Sequence, residues 1–190
     1  MTLVHRLHRL AARASLLGAL ACVATPAQAA DDIRYTCCNL RHEKNWISDD
    51  SFTGRPFLPV GARVVVKDWG RNKVFTEIEG IKVGAGPDEG YFKGTREQFA
   101  GVLFVSDDPK LRIATFTPAI QAAIRAGRVS IGMTQEQALM ALGPARFDVR
   151  QPWTYFADAD SEYDLEWNVD GTLREIHAPS RVRLQVEFKP

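Results

Sequence analysis

The segment Ile131–Pro144, with the sequence IGMTQEQALMALGP, constrains the fold more than any other part of the chain. Thr134 and Gln137 have the spacing of a capping box, in which each side chain accepts a hydrogen bond from the backbone N–H of the other residue. Gly143 suits the left-handed conformation that ends a helix, and Pro144 blocks its continuation. The pattern predicts a helix of about two turns, which needs packing partners to be stable.

Apolar spacing indicates which face of this helix packs. Ala138, Leu139 and Leu142 recur at intervals of three and four residues, which places them on one side. Met133 and Ala138 have the positions of a hydrophobic staple across the helix start. We expect this face to lie on a sheet.

Two further helices are predicted from their boundaries. Thr117 is a candidate N-cap, the proline after it suits the first helical position, and Gly127 ends the helix. Thr95 and Gln98 form a second capping box, which predicts a short helix in the first half of the chain.

Alternation of apolar and polar residues predicts four strands in the last forty residues or so of the chain. Asp170-Gly171 is a two-residue hairpin signal between two of them. Because neither layer can hide its apolar side alone, residues 109–190 are predicted to form a two-layer α+β unit, a helical hairpin on an antiparallel sheet. The predicted strands are Trp153–Ala157, Tyr163–Val169, Leu173–Ile176 and Val182–Phe188.

Short apolar segments separated by glycine predict a small, mostly β domain in residues 30–108. The segments are Arg63–Trp69, Lys73–Glu79 and Ile81–Val83, and the run Ser106–Pro109 places the domain boundary near residue 108. The layout LPVGARVVV, followed by a tryptophan and a glycine-punctuated hairpin, is similar to bacterial SH3-like domains. That resemblance implies a binding module with Trp46 and Trp69 in its groove, and core packing explains both indoles equally well.

The N-terminus, residues 1–29, has the three-part form of a secretory signal peptide. Arg6, Arg9 and Arg13 precede the apolar stretch Ala14–Ala24, and Ala27–Ala29 is a small-x-small cleavage site. Cleavage removes three of 24 basic residues and none of 23 acidic residues, which leaves a net charge of −2. Because no basic excess remains, nucleic acid is a poor candidate partner. The signal-peptide pattern itself leads us to expect a periplasmic protein.

The three cysteines leave alternatives open. Cys22 falls within the signal segment and gives the alternative of an outer-membrane lipoprotein, although the residues before it do not match the usual lipobox. Cys37 and Cys38 are adjacent and would form a vicinal disulfide, pair with another chain, or remain as two small buried residues.

A family resemblance covers part of the C-terminal half. The chain reads IRAGRVSIGMTQEQALMALGP from Ile124, then WTY and LEWNVDGTLREI. This order resembles the SmpA/OmlA (BamE-like) family of bacterial envelope proteins. The resemblance implies a BLIP-like fold, with two helices on an antiparallel sheet, and an envelope protein that works by binding, in well-known members as an accessory to outer-membrane protein assembly. Those members are lipid-anchored and have a single small domain, unlike the chain predicted here.

Patterns typical of catalysis or metal binding are not matched. Asp158, Asp160, Glu162 and Asp164 lie close together, yet the glycine and glutamate that an EF-hand loop requires are missing, so we expect a solvated hairpin tip. The sequence contains neither G-x-S-x-G nor H-E-x-x-H. We expect a protein without enzymatic activity, cofactor or metal.

The predicted function is recognition of a protein partner in the cell envelope, peripheral to the outer membrane, in its maintenance or assembly. Trp153 and Tyr155 are candidate contacts because aromatic side chains suit binding hot spots. One alternative is a thiol-dependent or metal-linked periplasmic protein that uses Cys37 and Cys38. Another is an inhibitor of a periplasmic hydrolase, suggested by fold analogy alone.

Overall fold

The computed structural model describes residues 32–50, 52–145 and 153–189. The predicted signal peptide, residues 1–29 with Cys22, lies outside these described residues. Within them, short strands and helices form a mixed α+β fold, so the predicted fold class is confirmed at that level.

The strands and helices have the following bounds in chain order. The strands are β1 (Asp32–Thr36), β2 (Leu40–Arg41), β3 (Trp46–Ile47), β4 (Phe57–Leu58), β5 (Arg63–Trp69), β6 (Val74–Ile78), β7 (Ile81–Ala85), β8 (Phe104–Val105), β9 (Thr154–Asp158), β10 (Ser161–Trp167) and β11 (Leu173–His177). The helices are α1 (Arg96–Leu103), α2 (Pro109–Ile113), α3 (Pro118–Ala126), α4 (Gln135–Leu142) and α5 (Ser180–Val186).

The first half of the described chain is built on a six-stranded sheet in the order β3-β7-β6-β5-β1-β8. Strand β3 runs parallel to β7, and the other neighbours are antiparallel. Helix α1 begins at the predicted Thr95 capping box and buries Phe99 and Leu103 against this sheet. The three predicted strands and this helix are therefore confirmed.

The second half is a three-stranded sheet, β11-β10-β9, that shares one hydrophobic cluster with α3, α4 and α5. Ile124 of α3, Leu142 of α4 and Leu165 of β10 are all at most 4% exposed in that cluster. This is the predicted packing of a helical pair against the apolar side of a hairpin-built sheet.

Helix α4 has the predicted ends, but one predicted face residue is wrong. The backbone N–H of Thr134 donates to Gln137 at 2.9 Å, and that of Gln137 donates to the Thr134 hydroxyl at 3.3 Å. Gly143 ends the helix with φ of +88°. Leu139, however, is 37% exposed, because Ala138, Ala141 and Leu142 form the buried face.

The predicted fourth strand, Val182–Phe188, is instead mainly the helix α5. Val182 and Val186 are buried, while Leu184 is 77% exposed. A strand would place all three side chains on one face, whereas a helix separates the middle one from the other two. After the helix, Phe188 donates its backbone N–H to the Val129 carbonyl oxygen at 2.7 Å.

The predicted boundary near residue 108 corresponds to a change of hydrophobic core. Apart from Val60, one cluster lies in residues 38–104 and the other in residues 123–186. Buried hydrogen bonds join the two sides: the Asn39 amide donates to the Ile124 carbonyl oxygen, and the hydroxyls of Thr53 and Tyr163 bond at 2.8 Å. Residues on both sides belong to one compact unit, so the two-domain layout is not confirmed.

Candidate functional site

Tyr155, a predicted partner contact, lies in the core. Its side chain is 2% exposed, and its ring stacks on Tyr163 with 5.4 Å between centroids. Its hydroxyl donates to the carbonyl oxygen of Gly143 at 3.3 Å, and burial raises the pKa of this hydroxyl well above its usual value. Because strand alternation turns Tyr155 toward the helices, core packing accounts for this side chain, and a contact role for it stays a prediction.

Trp153, the other predicted contact, is partly buried at the edge of the same core. Its ring lies against Trp167 with 4.6 Å between centroids. The pair covers the end of the three-stranded sheet, so packing accounts for Trp153, and a contact role for it stays a prediction.

Cys37 and Cys38 form a vicinal disulfide, one of the three arrangements expected for them. Cys38 is fully buried in the cluster of the six-stranded sheet, while Cys37 is partly exposed. The backbone N–H of Cys37 donates to the Leu103 carbonyl oxygen at 2.9 Å, which links the disulfide to the end of α1.

Trp46 and Trp69 are both partly buried and held by neighbours. The indole N–H of Trp46 donates to the Asp88 carboxylate at 2.8 Å, and its ring lies against Gly84, where a Cβ atom would be 2.6 Å from the ring. The guanidinium carbon of Arg96 lies 5.6 Å from the Trp69 ring centroid. Packing on the sheet therefore accounts for Trp46.

A surface concavity of about 550 Å³ lies on the solvent-facing side of the six-stranded sheet. This volume falls within the range of about 300–1,000 Å³ typical of ligand sites. We call it the lysine pocket and define it by Lys44, Lys67, Phe75, Glu77, Lys82 and Gly84.

Cross-strand pairing brings four residues of the lysine pocket to one face. Phe75 pairs with Gly84, and Glu77 pairs with Lys82, across β6 and β7. Val74 and Thr76, the neighbours of Phe75 in β6, are buried. Because side chains alternate along a strand, Phe75 faces solvent and is 39% exposed. The sheet thus presents an aromatic ring and an ammonium group side by side.

The turn that carries Lys44 forms the edge of the pocket. Glu43 and Trp46 exchange two backbone hydrogen bonds of 2.9 Å, and the residues between them, Lys44 and Asn45, have φ of +48° and +63°. Turns of this type favour glycine, which has no Cβ atom, and asparagine, whose short polar side chain can form local hydrogen bonds. For other residues this conformation costs about 1 kcal/mol. The Asn45 carbonyl oxygen accepts from the Gly84 N–H at 3.0 Å, which fixes the turn to β7.

Charge in the lysine pocket is predominantly positive. The Lys67 ammonium lies 3.6 Å from the Glu77 carboxylate, so these two charges offset each other. Among the described residues, neither Lys44 nor Lys82 has a carboxylate within 4.0 Å. The arrangement is suited to bind an anionic group beside an apolar one.

A second group of ionisable side chains lies on the three-stranded sheet. Candidate ligand atoms of Glu166, Glu175 and His177 all lie within 4.8 Å of one another. Arg174 also donates to Glu166, and the bonds from Arg174 and His177 lower the pKa of that carboxyl. Because a divalent ion would have to displace the guanidinium, we interpret this group as an ion-pair cluster.

Of the four acidic residues predicted at a hairpin tip, Asp158 and Asp160 lie at the turn between β9 and β10, whereas Glu162 and Asp164 lie within β10. Asp158 accepts from the backbone N–H of Asp160 at 3.1 Å and from the Arg181 guanidinium at 3.0 Å. The Asp160 backbone N–H contributes most to lowering the Asp158 pKa. These bonds account for the Asp158 carboxylate without a metal ion.

Sequence reasoning missed the lysine pocket. Lys44 and Lys82 stand in no recognisable motif, and each is one of seven lysines in the sequence. One signal was available: Phe75 occupies an outward position of an alternating strand, where a large apolar side chain is unexpected. The approach of the 44–46 turn to Gly84 depends on tertiary structure.

Comparisons with known proteins give no relative from which to assign the chain. No protein-family model, curated protein or solved structure matches it. Within the described ranges, every helix is too short or too polar to span a bilayer.

Proposed function

We propose that this chain is an exported protein of the bacterial cell envelope that acts by binding a protein partner, and that the lysine pocket is the contact. The signal-peptide pattern of residues 1–29 supports export. The resemblance of the segment around α4 to the SmpA/OmlA family supports a binding role in maintenance or assembly of the outer membrane.

The observation that carries this proposal is the composition of the lysine pocket. An exposed Phe75 ring lies beside Lys82, whose ammonium has no carboxylate within 4.0 Å among the described residues. Aromatic side chains provide much of the energy of protein interfaces, and charges around them guide the approach of a partner. A large apolar side chain held in water also costs free energy that a partner would recover.

In-cell photo-cross-linking tests this proposal. A photoreactive benzoylphenylalanine replaces Phe75 in one variant and Lys82 in a second, and the proteins are expressed in the native host. A third variant carries the photoreactive residue at Leu184, which is 77% exposed on α5 and does not line the pocket. Cross-linked products are identified by mass spectrometry.

The proposal requires one and the same envelope protein to be attached from positions 75 and 82 and not from position 184. Adding Lys44→Glu to the position-82 variant should reduce the yield of the cross-linked product. Lys44 lies at the edge of the pocket, and reversing its charge removes an attraction to the partner. Equal products from all three positions, or none from the pocket, would overturn it.

A second candidate function rests on the vicinal disulfide. Because Cys37 is partly exposed, a dithiol protein can reach the bond; reduction would convert Cys37 and Cys38 to two thiols as the partner dithiol becomes a disulfide. Equilibration in glutathione buffers, followed by alkylation and mass spectrometry, tests this candidate. A redox role requires reversible reduction within the glutathione range, whereas resistance throughout that range would show a structural bond.

A further inference from the structure

Building on the proposed function, we infer that the partner segment bound in the lysine pocket carries a carboxylate next to an aromatic side chain. The pocket presents three ammonium groups and a single carboxylate, and the Glu77 carboxylate is already near Lys67 at 3.6 Å. Lys44 and Lys82 therefore remain for an anionic group, and their attraction to it is stronger in a concavity than on a flat, fully hydrated surface.

The aromatic part of the inference comes from Phe75. Its ring is 39% exposed, and the Lys73 ammonium lies 5.2 Å from its centroid, so one side of the ring is engaged by a cation. A second ring placed edge-to-face or offset against Phe75 would bury apolar area and gain the specific attraction of an aromatic pair. Aliphatic side chains would gain only the first of these.

The position of the pocket favours a chain segment over an isolated ion. Phe75 and Lys82 lie on neighbouring strands, and the Lys44 turn stands at the sheet edge, so a ligand that covers the ring and reaches both lysines must extend across two strands and the edge turn. The volume of about 550 Å³ accommodates two adjacent side chains of a peptide. A free phosphate or carboxylate would leave Phe75 uncovered.

Binding of three short peptides to the isotopically labelled, purified protein tests the inference by NMR. The probes are acetyl-Gly-Asp-Phe-Gly-amide, the same peptide with asparagine for aspartate, and the same peptide with alanine for phenylalanine. Sodium phenylacetate is the fourth probe, since it joins a carboxylate to a ring without a peptide chain.

We expect the Asp-Phe peptide to shift the amide signals of residues 44, 75, 77, 82 and 84. The asparagine and alanine peptides should each bind about fivefold more weakly. Raising sodium chloride from about 0.05 M to about 0.5 M should weaken the binding of the Asp-Phe peptide and leave the affinity of the asparagine peptide nearly unchanged, because salt screens only the charged contact.

Variants separate the pocket from general surface charge. Lys82→Gln and Phe75→Ala should each weaken the Asp-Phe peptide about fivefold. Lys189→Gln is the control, because Lys189 is 79% exposed and does not line the lysine pocket. This substitution should leave the affinity unchanged. Retained dispersion of the core amide signals shows that each variant is folded.

Equal binding of the aspartate and asparagine peptides, or shifts outside the pocket, would overturn the inference. Phenylacetate binding as tightly as the peptide would overturn the choice of a protein segment. These failures differ from failure of the proposed function. If a partner is cross-linked in cells but peptide binding does not depend on the carboxylate, the proposed function stands and only the inferred ligand class is refuted.

Discussion

The side-chain amide of Asn39 donates to the carbonyl oxygen of Ile124 at 2.7 Å and so attaches the first half of the fold to the C-terminal end of α3. The same amide donates to the carbonyl oxygen of Ala141 in α4 at 2.9 Å, and its oxygen accepts from the Val60 N–H at 3.0 Å. The Ile124 carbonyl oxygen also accepts from the Gly127 N–H at 3.0 Å, so the Asn39 side chain, which is 1% exposed, adds a second bond at the end of α3 and supplies one to the Ala141 carbonyl oxygen near the end of α4.

Replacement of this amide should destabilise the whole unit. We expect Asn39→Ala to lower the free energy of unfolding by about 3 kcal/mol, because it removes three buried hydrogen bonds and leaves the Ala141 carbonyl oxygen and the Val60 N–H without this side-chain partner. Urea unfolding followed by circular dichroism measures the change. Asn72→Ala is the matched control: Asn72 is exposed and makes one long contact of 3.3 Å, so its loss should cost less than about 0.5 kcal/mol. Equal effects of the two variants would contradict the role assigned to Asn39.

The glycine that ends α4 has no room for a side chain. Gly143 has φ of +88°, and a Cβ atom there would be 2.6 Å from the backbone oxygen of Asn39. We expect Gly143→Ala to cost about 3 kcal/mol, from the strained backbone and the collision together. Gly171 has φ of +79°, and no atom of the described residues lies within 4 Å of such a Cβ, so Gly171→Ala should cost only about 1 kcal/mol. Thermal and urea unfolding of the pair compare them, and a smaller loss at residue 143 would refute the close approach.

Two substitutions in α5 distinguish the helix from the strand that the sequence predicts. Val186 is fully buried, so Val186→Ala should lower the free energy of unfolding by about 2 kcal/mol. Leu184 is 77% exposed, so Leu184→Ala should change it by less than about 0.5 kcal/mol. In a strand both residues would share the buried face, and similar losses in urea unfolding would favour that arrangement.

Stability should fall at alkaline pH because two tyrosines titrate less readily in the folded protein. Burial raises the pKa of Tyr155 and Tyr163, so their protonated forms stabilise the fold below the unfolded pKa of about 10, and this contribution is lost as the pH rises beyond it. Each contributes a slope of up to about 1.4 kcal/mol per pH unit. We expect Tyr163→Phe to remove about half of this tyrosine-dependent slope, measured by urea unfolding between about pH 9 and pH 11. The stability of Tyr163→Phe at neutral pH measures the cost of losing the bond to Thr53, which is subtracted at every pH. An unchanged slope would contradict the raised pKa of Tyr163.

The two adjacent cysteines should resist alkylation in the purified protein. Because Cys37 and Cys38 are bonded to each other, iodoacetamide should modify neither until a reductant is added, and both afterwards. Intact-mass spectrometry measures the number of attached groups. Modification before reduction would mean that the pair is present as free thiols.

The sequence predicted those elements whose determinants are close together in the chain. The capping boxes at Thr95 and Thr134 depend on bonds between residues three apart, and both are present in the structure. The strand Arg63–Trp69 has the predicted bounds, since a run of β-branched residues next to a glycine turn specifies an extended segment locally. The need of each layer to bury its apolar side led to the helix-on-sheet packing expected for the second half.

Where the prediction was wrong, the residue pattern suited two structures. Val182 and Val186 are four residues apart, a spacing that places both on one face of either a strand or a helix. Their packing against Val129 and the other core residues decides for the helix, and Leu184 turns outward as a result. Leu139 was assigned to the buried face for a similar reason, because several apolar residues of α4 compete for it.

Local sequence by itself determined the ends of α1, α3 and α4 and of the strand Arg63–Trp69, because capping bonds and strand alternation involve residues that are near neighbours in the chain. Tertiary structure alone decided that Asn39 holds two helix ends and that the Lys44 turn meets Phe75 and Lys82 on one face. These relationships join residues up to 102 positions apart, and no spacing within the chain encodes which distant groups the folded sheet and helices bring together.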